Sequence, residues 1–554
     1  MRKLLLSSVV FAAVSSVTLG ADLPSITKGP PDFVAQGVNW EGFYVGLNYG
    51  AGWGTTDWSS PTGLLLLGST PSFPASGNEV GILGGATLGY NHQMGPWVIG
   101  LEGDIDATSL YGNAVCGGIR GVFSIGWACK TRTDLLASLD ARAGYAVGNA
   151  LFFGKAGLAY AHDKFGISAF NPGGFLNPDP SISASQNRFG FNAGAGIEYA
   201  LGGGWSAKAE YDYYGFGNGS VSGFDPGFGT SYGANASHNI SVAKFGLNYR
   251  WGSGAETSAP VPVVASDISG EFGARTGWTT GGYRFNLFDP IVTSQMNSRL
   301  TWPGSGLMAE GFGRVDLVKS VFVKGFIGGT SLFNGTMHDE DFPPAIVPYS
   351  NTVSNTKNGD DIYGTLDLGY AFNGTGWRVG PFVGYNYFDD RQNAYGCTQV
   401  AAGGVCTGPG VTPPQVPANQ LILSRNDVWS SVRLGVAGDM MITDRLKVAA
   451  DAAWLPWTSV NGSYDNHWLR PDINPLNDHG HGSGYQLEGV LSYLVTDRLS
   501  VGLGARYWNM TAKGSTQFPG SPPSPTNYSV NRTMLFAQVS YAFGGPSAPS
   551  IRKY

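Results

Sequence analysis

The chain reads as all-β: two transmembrane antiparallel β-barrels in tandem, about eight strands followed by about ten. Three observations predict this. Stretches about ten residues long alternate apolar with small or polar side chains, the period of a strand with one face toward lipid and one toward a lumen. These stretches are joined in turn by a tight turn and a long polar loop. The rhythm also stops at a Pro/Ser/Ala-rich segment, 252–267, and then starts again. One merged barrel of about eighteen strands is the alternative, and the non-alternating spacer favours two.

Composition agrees. Of 554 residues 84 are Gly and only 13% are charged, unlike a soluble enzyme of this size. Gly suits crowded lumens and coiled strands, and the abundant Tyr and Trp suit the two membrane interfaces. A net charge of −6 argues against nucleic acid as a partner.

In chain order, residues 1–21 read as a signal peptide: Arg2 and Lys3, the apolar run Leu4 to Val14, and small residues around Gly20-Ala21. That run is too short for a membrane helix. Residues 22–38 form an N-terminal periplasmic segment and 39–251 the first barrel. Its first strand places Phe43, Val45, Leu47, Tyr49, Ala51 and Trp53 on one face, and Gly42, Tyr44, Gly46 and Asn48 on the other. Strand seven sets Trp205, Ala207, Ala209, Tyr211 and Tyr213 against Ser206, Lys208, Glu210 and Asp212, so opposite charges should pair inside the lumen. Tight turns are expected near Gly95, Gly148 and Gly203, and long loops over 54–79, 109–131, 163–186 and 218–237. A lumen of eight strands can be filled by side chains, so an open pore is not expected.

The linker 252–267 leads to the second barrel, 268–545, and a tail, 546–554. In its last strand Thr533, Leu535, Ala537, Val539, Tyr541 and Phe543 face lipid. The four Cys fall in two close pairs, Cys116/Cys129 and Cys397/Cys406, each inside one long loop, and two local disulfides are the natural reading in an exported chain.

With a periplasmic N-terminus, strands three and seven of the second barrel both end at the outer mouth, on nearly opposite walls. After strand three comes Met337-His338-Asp339-Glu340-Asp341-Phe342, and after strand seven Ser463-Tyr464-Asp465-Asn466-His467-Trp468. Asp339 and Asp341 share one face if extended. Asp465 can orient and charge His467. Together these four can activate a water without a metal. A solvated Asp-x-Asp turn and a chance Asp-x-His are the plainer alternatives.

Asn39-Trp40-Glu41-Gly42-Phe43-Tyr44-Val45-Gly46, Trp205-Ser206-Ala207-Lys208-Ala209-Glu210-Tyr211 and Lys244-Phe245-Gly246-Leu247-Asn248-Tyr249-Arg250-Trp251 resemble strands of the eight-stranded outer-membrane surface proteins called porin-like or opacity-like. The second block resembles the omptins, ten-stranded outer-membrane endopeptidases. The resemblance is carried by Ser298 to Phe342, by Tyr507-Trp508-Asn509-Met510-Thr511 and by the two motifs above. It implies catalytic roles for Asp339, Asp341, Asp465 and His467, a peptide or protein substrate at the cell surface, and a place in the outer membrane. No cofactor is implied beyond lipopolysaccharide. Where the family carries specificity acids this chain has Trp278 and Ser463, so an apolar or small-residue preference is expected. The rival reading is a non-enzymatic surface barrel, an adhesin or structural protein; a porin ranks last. Asp478-His479-Gly480-His481 is expected in the loop that holds His467, as a solvated His-rich stretch rather than a metal site. His92, His162 and His238 fall at turn or loop positions with no assigned role.

Overall fold

In the computed structural model the described residues are 38–59, 75–119, 125–170, 181–225, 230–251, 269–317, 320–342, 350–401, 406, 416, 418–419, 421–467, 476–518 and 521–543. Side chains are undescribed at 75–78, 113–119, 125–128, 168–170, 181–182, 223–225, 230–233 and 464–466. The expected signal peptide, most of the periplasmic segment, the linker and the tail lie outside the described residues.

The first barrel is closed by eight antiparallel strands in sequence order. They are β1 (Gly42–Ser59), β2 (Ala75–Met94), β3 (Trp97–Ile119), β4 (Ile125–Val147), β5 (Ala150–Phe170), β6 (Ser181–Gly202), β7 (Trp205–Asp225) and β8 (Thr230–Arg250), with β1 pairing β8. Inside and outside alternate as read from the sequence: Phe43 and Leu47 are exposed, Tyr44 and Asn48 buried. Gly95 and Gly148 take the left-handed backbone (φ 60 and 59) that a tight strand connection requires.

The lumen is filled with paired charge. Lys155 lies 3.0 Å from Glu102 and 3.1 Å from Asp104, Lys208 lies 3.0 Å from Glu210, Lys244 lies 3.1 Å from Asp212, and Arg142 lies 2.5 Å from Glu198. Glu102, Asp104 and Glu210 cluster closely, and the ammoniums of Lys155, Lys208 and Lys244 stand among them, so the three carboxylates are paired with lysine charge.

The second sheet comprises β9 (Ser269–Phe288), β10 (Met296–Asp316), β11 (Val321–Asn334), β12 (Thr336–Asp341), β13 (Ser350–Thr356), β14 (Gly359–Tyr370), β15 (Phe372–Gly374), β16 (Trp377–Gln399), β17 (Leu421–Met441), β18 (Leu446–His467), β19 (Leu476–Leu494), β20 (Leu499–Gln517) and β21 (Ser524–Phe543). β21 pairs β9, β10 pairs β11 and β16 pairs β17, which closes a ring of ten walls. β11 and β12 are two parts of the third wall, and β13, β14 and β15 are parts of the fourth.

The walls rise well above the membrane. Exposed Trp278, Tyr385, Trp454 and Tyr485 mark the upper interface, and Tyr370, Phe372, Trp377 and Tyr493 the lower one. Several expected long loops are therefore largely strand: β5 runs to Phe170, β6 starts at Ser181, and β7 and β8 reach Asp225 and Thr230. Above the bilayer a strand no longer needs an apolar outer face, so the backbone ladder continues where the alternation fades. For the same reason His162 and His238 lie in β5 and β8 rather than in loops; His92 lies in β2, near its end at the Gly95 turn.

The second lumen is also filled by stacked ion pairs. Arg275 and Arg506 share Glu310 and Glu488, Arg433 meets Asp367 and Asp451, and Arg532 meets Asp361 and Asp390. Cys397 and Cys406 are disulfide-bonded, with Cys397 at the end of β16 rather than in a loop. Buried Cys129, in β4, is also disulfide-bonded; its expected partner Cys116 is among the residues whose side chains are undescribed.

Candidate functional site

The third wall breaks where the sequence makes it break. Pro303 of β10 has no amide hydrogen to give. Opposite it β11 ends at Asn334 and β12 begins at Thr336. Gly335 sits between them, against the Pro303 carbonyl, where a side chain would not fit. The fourth wall breaks at Asn358, whose left-handed backbone (φ 55) suits Asn better than most residues. The β12–β13 hairpin then pairs with β10 on one side and β16 on the other.

Along β12 the side chains alternate. Glu340 lies on the outer face, its carboxylate accepting a hydrogen bond from Arg299 Nε at 2.7 Å. Arg299 also lies 5.2 Å from the centre of the Phe342 ring. Met337, Asp339 and Asp341 take the inner face, so the expected shared face of the two carboxylates is present. Asp339 stands in register with Leu300 and Thr352.

On β18 the decisive feature is a bulge. Arg425 of β17 pairs Tyr464 and Ser424 pairs Asn466, leaving Asp465 as the extra backbone residue. Below it, buried Val460 points inward while Asn461 is exposed, so simple alternation would turn His467 outward. The extra residue reverses the parity and sets His467 opposite inward-facing Leu423. The Asp465 side chain is not described.

Asp339 and His467, four walls apart, line one cavity with Met337, Thr352, Cys397, Ile422 and Leu423. Its volume is about 20 Å³, room for about one water molecule. Asp341 does not line it and accepts a hydrogen bond from Ser298 instead. The opposed motifs thus face each other across a narrow cavity, not an open cleft.

Electrostatics single out the same residue. Burial, together with the charges of Asp341 and Glu340, pushes the Asp339 carboxyl up to about 7. Burial also raises Asp341, against the Ser298 hydrogen bond.

Two expectations need correction. Trp278 is exposed on the membrane face, packed 5.7 Å from Phe333, while its neighbour Thr279 points inward. Ser463 pairs Asn426 and Asn477 on the outer face of the wall. Neither position lines the mouth, so the specificity argument built on them falls. Likewise Asp478-His479-Gly480-His481 belongs to β19, with Asp478 buried inward and both imidazoles exposed outward.

The sequence reading overlooked the acidic wall beneath the cavity. Asp478 accepts hydrogen bonds from Thr516 and Tyr528, and burial raises it well above the usual carboxylate range. Asp427, beside Arg425, is pushed up to about 6 by burial. Extending the inward parity of β17 and β19 past the membrane would have found both.

The fold and the filled lumens define a class: the chain is an outer-membrane β-barrel protein. Residues 31–250 match the outer membrane protein beta-barrel domain. The chain is 27% identical over 268 residues to the 31 kDa outer-membrane immunogenic protein of Brucella melitensis biotype 1, covering 45% of this chain and 100% of that one. It is 27% identical over 175 residues to the 22 kDa outer membrane protein of Rhizobium leguminosarum bv. viciae, covering 32% of this chain and 64% of that one. Among solved structures, outer membrane protease OmpT from Escherichia coli is similar with 14% identity and a TM-score of 0.42, over 50% of this chain and 97% of that one. Neisserial surface protein A is similar with 15% identity and a TM-score of 0.18, over 38% and 97%.

Proposed function

We propose that the second barrel is a cell-surface endopeptidase, and that its nucleophile is a water held between Asp339 and His467. The observation that carries this reading is the single cavity of about 20 Å³ that both residues line. His467 takes a proton from the water as its oxygen attacks the scissile carbonyl carbon, and returns a proton to the leaving amine nitrogen. Asp465 orients the imidazole. Asp339, whose carboxyl is pushed up to about 7, holds the water, and the neighbouring charge of Asp341 helps it keep a proton near neutral pH. A peptide is far larger than the cavity, so binding requires the β12–β13 hairpin and the tip of β18 to move apart. The substrate is a peptide or protein reaching the mouth from outside, with lipopolysaccharide in the surrounding leaflet.

The smallness of the cavity also supports a second reading, a non-enzymatic surface barrel whose mouth stays shut. One digest separates the two. The refolded full chain, with lipopolysaccharide, is incubated with a diverse peptide mixture beside the His467→Ala variant, and new termini are read by mass spectrometry. New termini from the unaltered chain alone support the peptidase. None from either chain favours the non-enzymatic barrel.

A further inference from the structure

Outward positions on a membrane barrel stay exposed unless something covers them. On most of both barrels they are exposed: Leu158 and Leu503 are each 70% accessible. One wall of each barrel differs. Ala51 and Val80 of the first barrel, and Ala309 and Ile362 of the second, point away from their lumens yet are buried.

We propose that the β10–β11–β14 wall of the second barrel is a docking surface for the first, so that both barrels of one chain stand side by side in the bilayer as a fixed pair. In lipid, apolar surface alone gives no drive to associate, and close packing of small residues supplies it. The seam has that form. The Phe245 ring rests on Gly311, where any side chain would collide with it. At Gly329 an added Cβ would lie 3.4 Å from Ile82 Cγ2 and 3.6 Å from Ala51 Cβ. Ala51 and Val80 join Ile362 in one buried cluster, with Trp53 against it.

The barrels also meet above and below this seam. Near the lower interface Tyr199 lies 5.1 Å from Phe543, ring to ring, and Tyr541 Oη donates to the Leu201 carbonyl at 3.3 Å. Higher up, Tyr111 and Tyr395 share a hydrogen bond. Contacts at three heights fix tilt as well as approach. Tyr395 stands two residues from Cys397, so the first barrel buttresses a wall of the cavity whether or not that cavity is catalytic.

The test uses the full chain with a protease site placed within 252–268 and cut after purification. The expected result is that the halves co-elute in mild detergent. Ala51→Cys with Gly329→Cys, at a separation suited to a disulfide, should also hold the cut halves together on non-reducing gels until reductant is added. Ala51→Cys with Leu503→Cys should not cross-link. Gly311→Trp should separate the halves while each keeps the heat-modifiable mobility of a folded barrel. Folded halves of the unaltered chain that elute apart, with no Ala51–Gly329 cross-link, would overturn the proposal, and lipid would then cover the wall.

Discussion

Asp339, in the interrupted third wall of the second barrel, and His467, at the end of the seventh, line one cavity large enough for about one water. Two local irregularities bring them there. The break at Pro303 and Gly335 sets the β12–β13 hairpin apart from the wall below it, and the bulge at Asp465 turns His467 inward. Remove either and the pair loses its geometry.

The bulge gives the first prediction. Inserting one residue between Ser424 and Arg425 gives Asp465 a partner across the ladder, restores simple alternation and swings His467 to the outer face. Cleavage should fall as far as in His467→Ala, with the heat-modifiable barrel intact. An insertion variant that still cleaves at the normal rate would mean that the bulge does not set the imidazole's direction.

The raised carboxyl gives the second. An unfolded Asp titrates near 4, whereas Asp339 is pushed up to about 7. A group whose pKa rises on folding stabilises the fold while protonated, fully below about pH 4, and that contribution is lost as pH climbs through about 7. Thermal unfolding of the unaltered chain should weaken between pH 5 and pH 8, and Asp339→Asn should weaken less. Parallel curves would contradict the assignment.

The lumen ion pairs give the third. Arg275 and Arg506 share Glu310 and Glu488. Glu310→Ala leaves two buried guanidiniums with one carboxylate, a change that should cost about 3–5 kcal/mol. Urea unfolding of the refolded chain measures it, and an unchanged midpoint would contradict the pairing.

The fourth concerns passage. Both lumens are crossed by paired charged side chains, so neither barrel should pass a steady ion current. Planar-bilayer recordings should show no large, stable steps; such steps would revive the porin reading.

Much of this fold was legible in the sequence because lipid imposes period two on every crossing strand. Phe43 against Tyr44, and Trp205 against Ser206, point as alternation says. Legibility faded above the membrane, where polar residues fill both faces and the ladder continues without an apolar marker, as along β5 to Phe170. It failed at bulges and at carried-over positions. Nothing in the residue types around Asp465 announces an extra backbone residue, and Trp278 faces lipid because parity, not motif spacing, decides which side chain reaches the mouth. The Asp339–Asp341 pair was readable because i and i+2 share a face in any extended strand.

The central claim is that Asp339 and His467 act on one water. The most direct measurement is kcat/KM on a single cleaved peptide for the unaltered chain, Asp339→Asn, His467→Ala and the double variant. Each single change should lower it by about 10²–10⁴-fold, and the double should fall little further than the worse single, as residues acting as a unit do. Losses that multiply, or single variants that cleave at the normal rate, would contradict it.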